Sequence, residues 1–159
     1  MAKKPDPTKP AGPKRVDNRR ARYDYNILDS VEAGLVLVGS EVKSLFHGKA
    51  NLTDAYCLVR EGEMWLISFD IEPYEKASVF QHERRRDRKL LLHKAQIETF
   101  ARKSQEKGLA LIPLAVYFKN GRAKVEIGLG RGKAEYDKRD QIAAKESRRE
   151  MDRIRAGKL

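Results

Sequence analysis

The sequence predicts a mainly β protein with short helices: a small OB-like barrel with a disordered amino-terminal arm and a carboxyl-terminal tail that becomes helical on binding. Three observations lead there. Apolar residues alternate at period two in several short runs, as half-buried strands require. Glu61-Gly62-Glu63 and Asn120-Gly121 interrupt such runs with tight-turn chemistry. Positive charge in excess of negative is concentrated at the two ends, outside a nearly neutral body. The length, 159 residues, suits one domain with extensions. The boundaries drawn are an arm over 1–17, a barrel over 18–130 and a tail over 131–159.

The arm contains Pro5, Pro7, Pro10 and Pro13 with few apolar residues, so residues 1–16 are expected to be extended and order to begin near Asn18. Tyr23, Tyr25 and Ile27 alternate as one strand, Ser30 to Gly34 reads as a bend, and Leu35 to Val38 opens a second β run. Ser40 before Glu41 reads as a helix N-cap with a first-turn acid, for a short helix through Val42, Leu45 and Phe46 that stops near Gly48. Asp54 to Arg60 and Met64 to Phe69 form the first hairpin. Residues 90–107 read as the longest helix of the body, with Ile97, Phe100 and Ala101 on one face and Gly108 as its stop. Leu114, Val116 and Phe118 alternate into Asn120-Gly121, and Val125, Ile127 and Leu129 alternate back. About six short strands and two helices in ~110 residues imply a small, nearly closed barrel, a form that presents its outer strands and loops to nucleic acid.

The tail changes pattern. Ile142, Met151 and Ile154 are too sparse for an apolar stripe, although the residues around them are good helix formers. Such a segment cannot offset its ordering entropy alone and is expected to fold against a partner. As a helix it would reach roughly 40 Å at about 1.5 Å per residue.

Charge narrows the function. Residues 1–22 hold eight basic and two acidic side chains, residues 131–159 ten and six, and the stretch between them sixteen and fifteen. Two cationic ends on a balanced body point to an anionic, phosphate-bearing partner rather than to solubility alone. No stretch approaches the ~20 apolar residues of a membrane helix, and the amino end lacks an apolar signal core, so neither a membrane nor secretion is expected. The single cysteine, Cys57, excludes an intramolecular disulfide and fits a reducing cytoplasm. With no long apolar surface stripe, the chain is expected to be a monomer.

Catalytic constellations are missing from the pattern. His47, His82 and His93 lack metal-ligand spacing, and Cys57 lies in an alternating strand as a small buried hydrophobe. Gly128 to Lys133 resembles a phosphate loop only superficially, because Ala134 stands where the metal-binding hydroxyl would be. Alternate glycines there read as a flexible link between barrel and tail. The expectation is therefore a non-enzyme without metal or cofactor. Arg84, Arg85 and Arg86, with Arg88 and Lys89, form the one dense cationic patch of the body. Asp87 alone cannot balance them, which makes them candidates for phosphate.

Several blocks in order carry a resemblance: Asn18-Arg19-Arg20-Ala21-Arg22-Tyr23-Asp24-Tyr25, Glu32-Ala33-Gly34, Gly39-Ser40-Glu41-Val42-Lys43-Ser44-Leu45, Gly48-Lys49-Ala50-Asn51, Arg88-Lys89-Leu90-Leu91-Leu92-His93, and Gly130-Arg131-Gly132-Lys133 with Tyr136-Asp137-Lys138-Arg139. Together, from about Asn18 to the carboxyl end, they closely resemble the SsrA-binding protein (small protein B, SmpB) family. The resemblance implies an OB-type barrel that binds the tRNA-like domain of transfer-messenger RNA (tmRNA) and delivers it to ribosomes stalled without a stop codon, where the unfinished chain is tagged for degradation. It implies RNA contacts at Asn18, Glu32, Leu91 and Lys124, with Arg19, Arg20 and Arg22 on nearby phosphates. Lys43 and Lys49 remain as cations beside Phe46-His47, which replaces the arginine usual in the family. It further implies a tail that enters the decoding centre and message channel of the small ribosomal subunit, with Gly132 as hinge, Lys133, Lys138 and Arg139 on phosphates, Tyr136 stacking beside Asp137, and Ile154 as a distal apolar contact.

Two rival classes remain. A structural ribosomal protein gluing folded rRNA fits the composition equally well; a phosphate-dependent enzyme fits it poorly, because the glycine spacing is wrong.

Overall fold

The computed structural model describes residues 12–76, 81–106 and 108–157, with the side chains of 135–137, 140 and 141 also outside the description. In chain order the elements are β1 (Val16–Asp17), α1 (Ala21–Asp24), β2 (Tyr25–Leu35), α2 (Gly39–Phe46), β3 (Ala50–Asn51), β4 (Tyr56–Arg60), β5 (Glu63–Ile67), β6 (Asp70–Ile71), β7 (Arg88–Leu91), α3 (Lys94–Ser104), β8 (Leu109–Lys119), β9 (Arg122–Gly132) and α4 (Glu135–Arg155).

The strands run β8-β4-β5-β7-β2-β9 and return to β8, all antiparallel, closing a barrel; β1 shares an edge of β8 with β4, and β3 pairs with β6 in a separate ribbon. Both anticipated hairpins form. Asn120 and Gly121 adopt φ of 52° and 75°, and Glu61 and Gly62 adopt 53° and 77°, the left-handed pair whose twist matches the flanking strands. Inside lie Met64, Leu66, Phe69, Leu90, Val116, Val125 and Ile127, nearly all without solvent contact. Cys57 is among the buried side chains, and burial pushes its thiol up, away from the reactive thiolate.

The helix α2 and its stop at Gly48, with φ of 72°, agree with expectation, but its cap does not. The helix begins at Gly39, and the Glu41 carboxylate, not the Ser40 hydroxyl, accepts the N–H of Val38 at 2.9 Å. Other differences have tertiary causes. Tyr23 belongs to α1, because the Arg20 carbonyl accepts the N–H groups of Tyr23 and Asp24 at 3.1 and 2.9 Å. No bend divides Ser30 from Gly34; pairing with β9 carries β2 straight through, with an irregularity between Ile27 and Asp29. Leu90 and Leu91 are strand, not helix, because β7 is inserted between β5 and β2 (Met64 opposite Leu90, Gly34 opposite Leu91). Pairing also starts upstream of Asn18: Val16 faces Val116 and is buried, and the N–H of Lys14 donates to the Phe46 carbonyl at 3.1 Å. Residues 1–11 of the disordered arm expected over 1–17 lie outside the described residues.

Gly128 and Gly130 are packing positions rather than a flexible link. A Cβ on Gly128 would come 2.9 Å from Leu114 Cδ1, and one on Gly130 would come 2.8 Å from Ile112 Cδ1 and 3.0 Å from Tyr25 Cβ. Their missing side chains let Ile112 and Leu114 close over β9 and meet Ala21 of α1, a small second core that seats α1 on the barrel. The tail forms α4, the helix expected of it. Residues 142–157 are exposed throughout, so α4 leaves the body instead of packing on it.

Candidate nucleic-acid interface

β2 and β9 are long, paired and shared by two groups of predicted site residues, one at each end. Tyr25 pairs with Gly132 at one end and Gly34 with Lys124 at the other. Nine residues at about 3.3 Å each separate the two ends by roughly 30 Å.

At the first end α1 and the root of α4 meet. Arg19 and Arg22 are exposed and, among the described residues, without an acidic partner; Arg20 stands 3.9 Å from Asp24. The Lys133 ammonium donates to the Arg22 carbonyl at 2.8 Å, and its backbone N–H donates to the Asp24 carbonyl at 2.9 Å. Lys138 lies 3.2 Å from the Asp24 carboxylate and 5.6 Å from the Tyr23 ring centre. Arg139 is exposed on the same first turns. The side chains of Tyr136 and Asp137 lie outside the described residues. Gly132 needs no glycine for space, since nothing lies within 4 Å of an added Cβ. Ile154 is 54% exposed far along α4.

Asn18 is a special case. It is 93% buried by its 7% exposure, its Nδ2 donates to the Pro113 carbonyl at 2.9 Å and more weakly to Leu52 at 3.4 Å, and its N–H donates to Leu114 at 2.8 Å. It ties the entering chain to β8, and its Oδ1 has no hydrogen-bond partner among the described residues.

At the second end a shallow apolar depression is lined by Gly34, Leu37, Val42, Leu91, Phe118 and Lys124. Leu91 is 54% exposed there, lying across Gly34, whose added Cβ would come within 3.2 Å of it. Glu32 accepts a hydrogen bond from the Tyr117 hydroxyl and stands 3.6 Å from Lys119. Tyr117, with the charges of Lys119 and Lys124, outweighs the modest desolvation and holds the Glu32 carboxyl below its ordinary range. Desolvation and then Glu32 push the Tyr117 hydroxyl up to about 12. The Arg15 guanidinium sits 5.1 Å over the Tyr117 ring. Lys43 lies over Tyr74 at 5.4 Å, and Lys49 is 3.5 Å from Glu75. Tyr117 was missed by sequence reasoning, for its meeting with Glu32 depends on two strand registers that no local pattern reveals.

The segment 84–89 differs from both. Its counter-charges come from distant parts of the chain: Arg84 forms a two-point contact with Asp70 at 2.9 and 3.2 Å, Arg85 lies 3.3 Å from Asp54, and Lys89 is 2.9 Å from Glu63. Arg86 and Arg88 both bind Glu41 of α2, and Glu41 and Arg88 have no solvent exposure. Burial alone would raise the Glu41 carboxyl, but Arg86, the Val38 N–H and Arg88 outweigh it and hold it below its ordinary value. The self-repulsion inferred from the run itself is thus relieved from outside it.

Among the described residues, no group of His, Cys, Asp and Glu could hold a metal ion, and no helix is long and apolar enough to cross a membrane.

The comparisons agree with this geometry. A family model described as "SmpB protein" matches residues 15–157. The SsrA-binding protein of Desulforudis audaxviator is 52% identical, covering 99% of each chain, and that of Syntrophomonas wolfei is 52% identical over 96% of this chain and 95% of its own. A solved structure described as "tmRNA-SmpB: a journey to the center of the bacterial ribosome" superposes with a TM-score of 0.66 at 48% identity, covering 76% of this chain and 85% of that one. A barrel with a cationic helix rooted on α1, and a match running from Arg15 almost to the carboxyl end, lead to one conclusion: the chain belongs to the SmpB family.

Proposed function

We propose that this chain is an RNA-binding adaptor that grips the tRNA-like domain of tmRNA with its barrel and brings it to stalled ribosomes for trans-translation. α4 enters the decoding centre and the message channel. The observation that carries the reading is the division of the molecule: a closed barrel with an apolar and cationic depression at one end, and a helix of about 32 Å, at about 1.5 Å per residue, projecting from the other. Leu91 offers an apolar platform for a base or sugar, Lys124, Lys43 and Lys49 offer charge to phosphates, and Glu32 accepts hydrogen bonds from base amino groups or a ribose hydroxyl. Asn18 supports the other end, where it ties the chain entering α1 to β8. Arg19, Arg20 and Arg22 take phosphates at the tail root. Lys133, Lys138, Arg139, Tyr136, Asp137 and Ile154 belong to the ribosomal contact, with Gly132 as the joint. Catalysis has no part in the proposal.

Sequencing the RNA that co-purifies with the chain from cells tests the partner: a single dominant tmRNA species is expected, and predominance of rRNA retained through high-salt washing would replace the adaptor with a structural ribosomal protein. A chain ending at Arg131 tests the division of labour: affinity for the tRNA-like domain should stay nearly unchanged while peptide tagging disappears. Equal loss of both would refute it.

A further inference from the structure

Among the described residues, two of the contacts at the root of α4 converge on one residue that no sequence motif singled out for a task. Asp24 accepts the N–H of Lys133 through its carbonyl at 2.9 Å and faces Lys138 with its carboxylate at 3.2 Å. Tyr23 beside it places its ring under the same ammonium, 5.6 Å away. The Lys138 and Asp24 side chains are 25% and 28% exposed, so the pair is partly desolvated and less screened than an open surface pair. Asp24 itself stands on a firm base. α1 is held by the buried Ala21 against Ile112 and Leu114, and by Asn18 bonded to β8. Beyond this first turn, residues 142–157 are exposed, so the described contacts of α4 with the body lie at its root.

We infer that Asp24, with Tyr23, is the positioning residue of the tail: it fixes the exit angle of α4 while touching no RNA itself. Leverage makes this matter. Over about 32 Å of helix, a tilt of about 10° at the root moves the far end by roughly 5 Å, enough to miss a channel entrance. The functional consequence rests on the proposed role of the tail; the anchoring does not.

The test uses the full chain with nitroxide labels on Lys94→Cys and Ala156→Cys, Cys57 being buried and unlabelled. Pulsed electron–electron distance distributions should be narrow in the parent, clearly broader in Asp24→Ala and Asp24→Asn, and restored in Asp24→Glu. Tyr23→Leu should broaden them less. A distribution in Asp24→Asn indistinguishable from the parent would overturn the inference. In reconstituted tagging, a tail that samples the productive direction about a tenth of the time should lose about tenfold in rate, with affinity for the tRNA-like domain unchanged. Broadening with full tagging would keep the anchor and count against the tail's role at the decoding centre, so the two failures are distinguishable.

Discussion

Residues 19–22 and residues 84–89 look alike in sequence, both short and rich in arginine, yet the fold treats them oppositely. In the second segment Arg84, Arg85, Arg86, Arg88 and Lys89 each find a carboxylate elsewhere in the chain. In the first, Arg19 and Arg22 face solvent without an acidic partner among the described residues. One run finds its counter-charges across the fold, whereas in the other only Arg20, beside Asp24, has one among the described residues. The difference teaches that a charge run identifies a ligand site only after its intramolecular partners have been found.

The largest effect that sharpens this comparison is on stability. Glu41→Ala would strand the buried Arg88 and release Arg86, a change that typically costs about 3–5 kcal/mol. Urea unfolding should show it as a much lower midpoint. A loss near that of an ordinary surface substitution would mean that Arg88 is not dependent on Glu41.

Next is RNA binding. Each phosphate contact contributes about 0.7–0.9 to the slope of log affinity against log salt, so Arg19→Ala, Arg20→Ala and Arg22→Ala together should reduce that slope by about 2–3. Arg84→Ala with Arg85→Ala should change it far less and cost no more than about 1 kcal/mol per exposed pair. Equal loss of slope in the two variants would break the comparison.

An acid titration comes third. The folded-state carboxyl of Glu41 titrates below its unfolded value, so its contribution is complete above about pH 4.5 and is lost as pH falls through the lower folded value. Stability measured down through that window should fall more steeply in the parent than in Glu41→Gln, which cannot titrate.

The smallest effect concerns Glu32. Tyr117→Phe removes the main group holding the Glu32 carboxyl down, so its midpoint, followed by carboxyl-carbon NMR, should move up toward the ordinary glutamate range. An unmoved midpoint would assign the shift to Lys119 and Lys124 instead.

Much of the fold was legible. Asn120-Gly121 and Glu61-Gly62 carry their turns locally, because only certain residues tolerate positive φ at two successive positions. The alternation around them marks the strands for the same reason, since period two needs no distant information. The resemblance placed candidate residues at both ends of β2 and β9 before any geometry. Misreadings fell where two local answers were nearly equal in energy. Leu90-Leu91-Leu92 suits helix or strand, and only insertion of β7 between β5 and β2 decides. Gly128 and Gly130 suit a flexible joint or a tight packing contact, and only Ile112 and Leu114 across the ladder decide.

By itself, then, the order of residues determined the class of fold, the hairpins, the charged ends and the family, because these depend on periodicity, turn chemistry and composition along the chain. Tertiary structure alone decided that Arg86 binds Glu41, that Tyr117 meets Glu32 and that Asp24 holds Lys138. Those are pairings between residues 45, 85 and 114 positions apart, and the strength of a charge or hydrogen bond depends on distance in space, which the chain sets only once it has folded.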